Sequence, residues 1–184
     1  MDKRRSDTRE RIRSTAMELF AERGYDKTSL REIAERLGVT KAALYYHFRT
    51  KEDIVVSLSE DLRAGIDDLV RWGQSAPPGR ARAEQIVIRY GALLHGLGKG
   101  MIRFWAENQS AFRALDIGTS LRYQFVALAD LMAAPDRAPL TIFYARQALL
   151  AISWSLSMMS DLDLDDEESE TAAKRIALDI VARM

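Results

Sequence analysis

Residues 28–48, TSLREIAERLGVTKAALYYHF, decide the fold of the N-terminal part of the chain. Ser29 and Glu32 have the spacing of a capping box, and the residues after them show one apolar helical face. Gly38 then breaks the pattern, and Thr40 is a good N-cap for a second short helix that reaches about Phe48. Two short helices joined by a glycine-containing turn are typical of a helix-turn-helix.

Helical periodicity extends outward in both directions from this segment. A helix from about Asp7 to Arg23 precedes it, and a long helix from Thr50 to about Trp72-Gly73 follows it. Later helices are predicted near 80–95, 99–113, 116–133, 138–160 and 166–183. We therefore predict an all-α fold, in which a three-helix head is joined by a long fourth helix to a C-terminal helical bundle. The predicted domains are 1–52, the helix-turn-helix head, and 53–184, the helical body.

The second helix of the motif carries chemistry that suits a major groove. Lys41 can donate to guanine or to a phosphate, and the hydroxyls of Thr40 and Tyr45 can donate to phosphate oxygens. Ala42 and Ala43 permit close approach and can contact thymine methyl groups. Arg31 and Lys51 flank this helix, and residues 3–5 (Lys-Arg-Arg) are expected to form a mobile basic arm or an ordinary terminus.

The charge distribution agrees with a polyanionic partner at one end of the chain. The 184 residues carry 27 basic and 27 acidic side chains. Residues 1–52 hold 13 of the basic and 9 of the acidic ones, so the front is positive and the remainder is negative. This asymmetry supports DNA binding by the front without deciding it.

The runs ELFAERGY (18–25), LREIAERLGV (30–39) and LYYHFRTKED (44–53) together resemble the DNA-binding domain of the tetracycline-repressor (TetR) family. The resemblance covers about 50 residues and implies an all-α homodimer that binds a palindromic operator, usually as a repressor released by a small molecule. It also implies that residues 1–52 bind DNA and that residues 53–184 bind the ligand and form the dimer. An activator of the same family is the alternative. The predicted DNA-binding residues are Arg31, Thr40, Lys41, Ala42, Tyr45, Tyr46, His47 and Lys51. Two of these readings stay open, since the tyrosines could cap a small core and His47 could act only on the helix dipole.

The C-terminal part contains many aromatic and methionine side chains, which in a helical bundle are mostly core. Aromatic walls with a few polar groups also hold ligands, so an apolar or aromatic effector is expected. The predicted ligand contacts are Phe104, Trp105, Tyr123, Tyr144 and Trp154. The resemblance favours a dimer interface formed by two apolar stripes, with packing within one chain as the alternative: Ala145, Leu149, Ile152 and Leu156, then Ala173, Ile176, Ala177, Ile180 and Val181.

Several other classes of protein are excluded or disfavoured. No G-x-S-x-G elbow is present, and the chain has two histidines and no cysteine, so we predict no enzyme and no cofactor. Residues 96–100 (GLGKG) follow no strand and lack the spacing of a phosphate loop, and the acidic run 161–170 is better explained as a solvated linker than as a metal site. With no cysteine, no signal-like segment and no long apolar stretch, a cytoplasmic protein without a membrane partner is expected. A helical dimeric interaction module remains the alternative function.

Overall fold

The structure, a computed structural model, describes residues 2–96, 117–158 and 164–184. Within these ranges the chain forms helices and no strand. The helices are α1 (Asp2–Arg23), α2 (Leu30–Leu37), α3 (Lys41–His47), α4 (Lys51–Ser75), α5 (Arg80–Gly96), α6 (Ile117–Ala133), α7 (Pro139–Met158) and α8 (Asp166–Val181). The predicted all-α fold is confirmed, and the helix predicted near 99–113 lies outside the described residues.

The first hydrophobic core is built by α1, α2, α3 and the first two turns of α4. Its apolar side chains come from the periodic positions that the sequence shows, and they are joined by Tyr25 from the turn after α1. The fully buried members include Ile12, Ile33, Leu44 and Ile54, one from each helix. This first core, the core of the head, therefore extends to Leu58.

The second core lies in the body, among the rest of α4 and helices α5, α6, α7 and α8. Its first residue on α4 is Leu62, one turn after the last residue of the head core. Leu121 of α6 packs against both cores. The single helix α4 thus runs without interruption from the head into the body, and α6 contacts both of them beside it.

The start of α1 differs from the sequence prediction. The helix begins at Asp2 and continues through Asp7, so Asp7 is not its N-cap. Residues 2–6 contain no glycine or proline and have good helix formers, which explains why the helix extends. The backbone of Lys3, Arg4 and Arg5 is consequently helical, and the prediction of a mobile arm is wrong.

Candidate nucleic-acid interface

The turn between α2 and α3 is fixed by backbone geometry. Gly38 has φ +71°, in the left-handed region where a side chain is strained, and it ends α2. The N–H of Val39 donates to the carbonyl of Ala34 at 3.0 Å, and the Ser29–Glu32 capping box opens α2 as predicted. Both ends of α2 are therefore satisfied by hydrogen bonds, and the second of them shapes the turn.

Helix α3 has seven residues, too few to be stable alone. The hydroxyl of Thr40 accepts a hydrogen bond from the N–H of Ala43 at 3.1 Å, as predicted for an N-cap. Leu44 has no exposed surface, and Phe48 directly after the helix is also buried. The helix is thus held by one cap and two apolar side chains.

The remaining side chains of α3 lie at the surface. Six positions are exposed: Thr40, Lys41, Ala42, Ala43, Tyr45 and Tyr46. His47 is half-buried, and its ring meets that of Tyr46 edge to face at 5.3 Å. The ammonium of Lys41 lies 5.4 Å from the centre of the Tyr45 ring. With Tyr46 68% exposed, neither tyrosine serves to fill the core.

Arg31 of α2 is exposed beside this face and is paired along its own helix. Its Nε donates to Glu35 at 2.7 Å, and this hydrogen bond raises the pKa of Arg31 above its ordinary value. An exposed pair of this kind contributes little to stability. Arg31 can therefore exchange Glu35 for a phosphate at small cost.

Lys51 has a different environment from the one that the sequence suggests. Its ammonium donates to the carbonyl of Tyr25 at 2.6 Å and lies 4.3 Å from the centre of the Tyr25 ring. The Tyr25 hydroxyl in turn donates to Glu52 at 2.7 Å. These contacts fasten the turn after α1 to the first turn of α4, so Lys51 has a structural partner in addition to its predicted phosphate contact.

The pKa values of Tyr25 and Glu52 are both shifted by their surroundings. Burial and the neighbouring Glu52 carboxylate raise the pKa of Tyr25 well above its ordinary value. Burial acts to raise the pKa of Glu52, but hydrogen bonds from its backbone, Tyr25 and Thr50 outweigh it, so the pKa is lowered. Glu52 is therefore a carboxylate at neutral pH and accepts the Tyr25 hydroxyl as an ion.

Salt bridges join α1 to its neighbours. Arg36 on α2 pairs with Glu22 at 2.9 Å, and Arg23 pairs with Glu32 at 3.2 Å. Arg13 pairs with Glu10 and, on α4, with Asp61. These pairs use several positive charges of the front internally, which the net charge of the segment does not reveal.

Sequence reasoning missed Arg49 as a candidate contact. It lies in the short link between α3 and α4 and is exposed. Its backbone N–H donates to Asp53 at 3.0 Å, which orients the link. The position of Arg49 in the sequence indicates such a contact, because a basic residue directly after the motif and two residues before Lys51 falls close to the predicted DNA-binding helix.

The predicted ligand contacts are dispersed. Phe104 and Trp105 lie outside the described residues. Tyr123 is 73% exposed, because the buried stripe of α6 runs through Gln124, Leu128 and Met132. Trp154 is also exposed, two residues beyond buried Ile152 on α7, and Tyr144 is half-buried. In this chain, the side chains of Tyr123 and Trp154 face solvent rather than the interior of the body.

The two stripes predicted to form a dimer interface lie mostly inside the chain. Buried in the body core are Ala145, Leu149, Ile152, Ala173, Ala177 and Val181. Ile180 is partly buried against that core and Ile176 is exposed, while the Leu156 side chain lies outside the described ones. The apolar periodicity marks the contact of α7 and α8 with their own bundle, so assigning these buried positions to a second subunit is wrong.

Known proteins are similar to this head in sequence and in fold. Residues 12–58 match the family model described as "Bacterial regulatory proteins, tetR family". The transcriptional regulator AcrR of Shigella flexneri is 38% identical over 73 residues, which is 40% of this chain and 34% of AcrR. The negative regulator IcaR of Staphylococcus aureus, of the biofilm operon icaADBC, is 46% identical over 46 residues, a quarter of either chain. The chain thus spans no more than about a third of the curated relatives' length over these matches.

The structural similarity reaches further along the chain. Mycobacterium smegmatis AmtR superposes with a TM-score of 0.69 and 25% identity, covering 94% of this chain and 85% of AmtR. A helix-turn-helix head joined to an all-helical body places this chain among the helix-turn-helix proteins. Residues 12–58 therefore belong to the tetR family of bacterial regulatory proteins, and the chain as a whole shares the fold of AmtR.

Proposed function

We propose that this chain is a transcriptional regulator that binds a palindromic operator as a homodimer, with α3 in the major groove. The observation that carries the proposal is the surface of α3 and its N-cap Thr40, where six side chains are exposed and Leu44 is the buried residue of the helix. A helix docked through one buried residue and exposed elsewhere fits the recognition helix of the motif. The family and the curated relatives are regulators rather than enzymes, in agreement with the sequence prediction.

The chemistry of the face suggests how contacts divide between bases and backbone. Ala42 and Ala43 are small enough to bring the helix close to base edges, where they would meet thymine methyl groups. Lys41, at the N-terminal end of the helix, is the candidate to donate hydrogen bonds to guanine. Tyr45, Tyr46 and the flanking arginines are placed to donate to phosphate oxygens. We propose that His47, Arg31, Thr40 and Lys51 complete the contact surface, with Lys51 also holding Tyr25.

A homodimer is supported by an exposed apolar seam on α7. Leu140, Phe143 and Trp154 are exposed on one side of α7, away from the body core, with half-buried Leu150 between the last two, and Ile176 is exposed on α8. Helices with such seams pack against each other at small crossing angles. Contiguous exposed apolar surface of this kind marks an interaction site. We propose that a second copy of this chain covers it.

The seam predicts the effect of a charge at its centre. Phe143→Glu should convert the dimer into a monomer in sedimentation velocity, because an unpaired carboxylate would be buried. Tyr123→Glu, at a more exposed aromatic on α6 outside the seam, should leave the mass unchanged. A Phe143→Glu protein with the wild-type mass would refute this interface.

Regulation by a small molecule follows from the family and from the aromatic residues of the body. We propose repression relieved by an apolar or aromatic effector, with IcaR named a negative regulator in support. Tyr144, Phe104 and Trp105 are the proposed contacts, and Tyr123 and Trp154 would join them only at the surface. A thermal-shift screen of aromatic acids, amines and dyes tests this: no stabilising compound in a broad set would count against an effector.

Selection from random duplexes tests the central proposal. The wild type should enrich an inverted repeat, with binding that weakens as salt rises because phosphate contacts release counterions. Lys41→Ala should change the enriched sequence. Arg80→Met, an exposed basic residue on α5 paired with Glu84, should enrich the same sequence as wild type. Failure of the wild type to enrich any sequence would refute DNA recognition and favour a helical interaction module.

A further inference from the structure

Arg82, in the first turn of α5, is a buried cation bound only by carbonyl groups. It is 7% exposed, and among the described residues no carboxylate pairs with it. One terminal nitrogen donates to the carbonyls of Gly73 and Ala76, both at 3.2 Å. The other donates to Leu131 at 2.7 Å and to Ala134 at 3.4 Å. A single guanidinium therefore joins the C-terminal end of α4 to that of α6.

The sequence explains why these carbonyls need a donor. In a helix, the carbonyl of each residue accepts from the N–H four residues later. Four residues after Gly73 stands Pro77, and four residues after Leu131 stands Pro135, and neither proline has an N–H. Two helices thus end in carbonyls that the backbone cannot satisfy, and Arg82 supplies the donors for both.

The electrostatics favour arginine at this point. The C-terminal ends of α4 and α6 carry negative partial charge, and the guanidinium lies between them. Its planar fork directs two nitrogens toward two different helix ends, which the single ammonium of lysine cannot do. Without this group the carbonyl of buried Gly73 and three partly buried carbonyls would lose this donor, at a free-energy cost for each.

The two helices are also in close contact here. A Cβ atom built on Gly73 would lie 3.0 Å from Cδ1 of Leu131, so the glycine permits this approach. At the head end of the same helix pair the contacts are of another kind. The amide of Gln124 donates to the carbonyl of Arg63 and to Asp67, and Leu121 packs against the head core.

We propose that Arg82 is a positioning residue that fixes the distal end of α4 to α6 and so sets the separation of the two heads on DNA. This inference rests on the proposed function as a DNA-binding dimer. Residue 51 lies about 22 residues from Gly73 along α4, or about 33 Å. A tilt of about 10° about the distal end would move the head by about 6 Å, more than the step of about 3.4 Å between base pairs. The hydrogen bonds of Arg82 keep the distal ends of α4 and α6 from moving apart, which limits the displacements that would change the angle of α4.

The test measures how strictly the protein selects half-site spacing. The inverted repeat enriched by the wild type is synthesised with its spacer unchanged, one base pair shorter and one longer, and affinities are measured for each. The wild type should prefer its own spacing by about tenfold, since a misplaced half-site costs about as much as a mismatched base pair. Arg82→Lys and Arg82→Met should reduce this preference below about threefold. Arg80→Met, in the same turn of α5 but exposed, should keep the wild-type preference.

Hydrogen exchange on the wild type tests the proposal even if the variants fail to fold. Hydrogen exchange should show the last turns of α4 and α6 as well protected as their centres, although helix ends ordinarily fray. Rapid exchange at both ends would overturn the proposal, as would a folded Arg82→Lys protein with the wild-type spacing preference, or a wild type that binds all three spacings equally. If the wild type enriches no DNA, the proposed function fails instead, and the exchange result still decides whether Arg82 holds the two helices together.

Discussion

Replacing Leu44 by alanine separates the stability of α3 from its contact with DNA. Leu44 is fully buried and is the one buried residue within α3. Truncating a buried leucine to alanine costs about 2–5 kcal/mol, with the larger values where the surroundings cannot collapse into the cavity. Ile33 and Ile54, also fully buried, belong to the same core and lie on helices held by capping boxes, so little relaxation is expected.

The expected loss can be converted into a melting temperature. For a cooperative chain of 150–250 residues, each 1 kcal/mol lowers the midpoint by about 2–4 °C, so a loss of about 3 kcal/mol gives about 6–12 °C. Because α3 is too short to persist undocked, the fraction of heads able to bind DNA should fall as well. Thermal unfolding followed by circular dichroism gives the first quantity, and fluorescence anisotropy with the selected operator gives the second.

Lys41→Ala, at the exposed start of the same helix, is the matched control. Its melting temperature should stay within about 2 °C of wild type, as for most surface substitutions of up to about 0.5 kcal/mol. Its affinity for the selected operator should nevertheless fall. The reasoning is refuted if Leu44→Ala melts with the wild type, or if Lys41→Ala lowers the melting temperature by as much as Leu44→Ala.

Two further predictions concern the head. Tyr25→Phe removes the hydroxyl that donates to Glu52 and should lower stability at pH 7 by about 1–2 kcal/mol, measured by urea unfolding. Because the pKa of Glu52 is lowered, the stability that this carboxylate contributes is present above its ordinary pKa of 4.5 and is lost as the pH falls below it. Tyr25→Phe should therefore lose less stability in acid than the wild type, and equal acid losses would contradict the assigned hydrogen bond. Gly38→Ala introduces a side chain at φ +71° and should lower the free energy of unfolding by about 1 kcal/mol. Gly96→Ala, at a helix position with open space, should not destabilise the protein. Equal melting temperatures for the two variants would show that the α2–α3 turn carries no strain.

The head was the part of the molecule most accessible from sequence, because its structure depends on local patterns. The capping box at Ser29, the break at Gly38 and the cap at Thr40 each involve residues within four positions of one another. Leu44 as the apolar residue of α3 follows from the same short spacing. These elements form as predicted, since a helix-turn-helix is specified by neighbouring residues.

The errors came from contacts between distant residues. Periodicity at Ala145 and Leu149 shows that a face is buried, but it does not say whether the neighbouring helix belongs to the same chain. Lys51 looks like a free surface charge until the fold places Tyr25 beside it. Arg82 showed no pattern at all, although the prolines at 77 and 135 mark the carbonyls that it binds. Such partners depend on tertiary packing and leave no regular spacing in the sequence.

The position of Leu121 bears on the construction of chimeras. The family match ends at Leu58, which is also the last residue of the head core, so this is the natural junction for grafting a head from a relative onto another body. Leu121 lies far beyond that junction and still packs against the grafted part. A transplanted head would therefore meet a side chain selected for another partner, and a chimera that keeps its stability must exchange Leu121 together with residues 12–58.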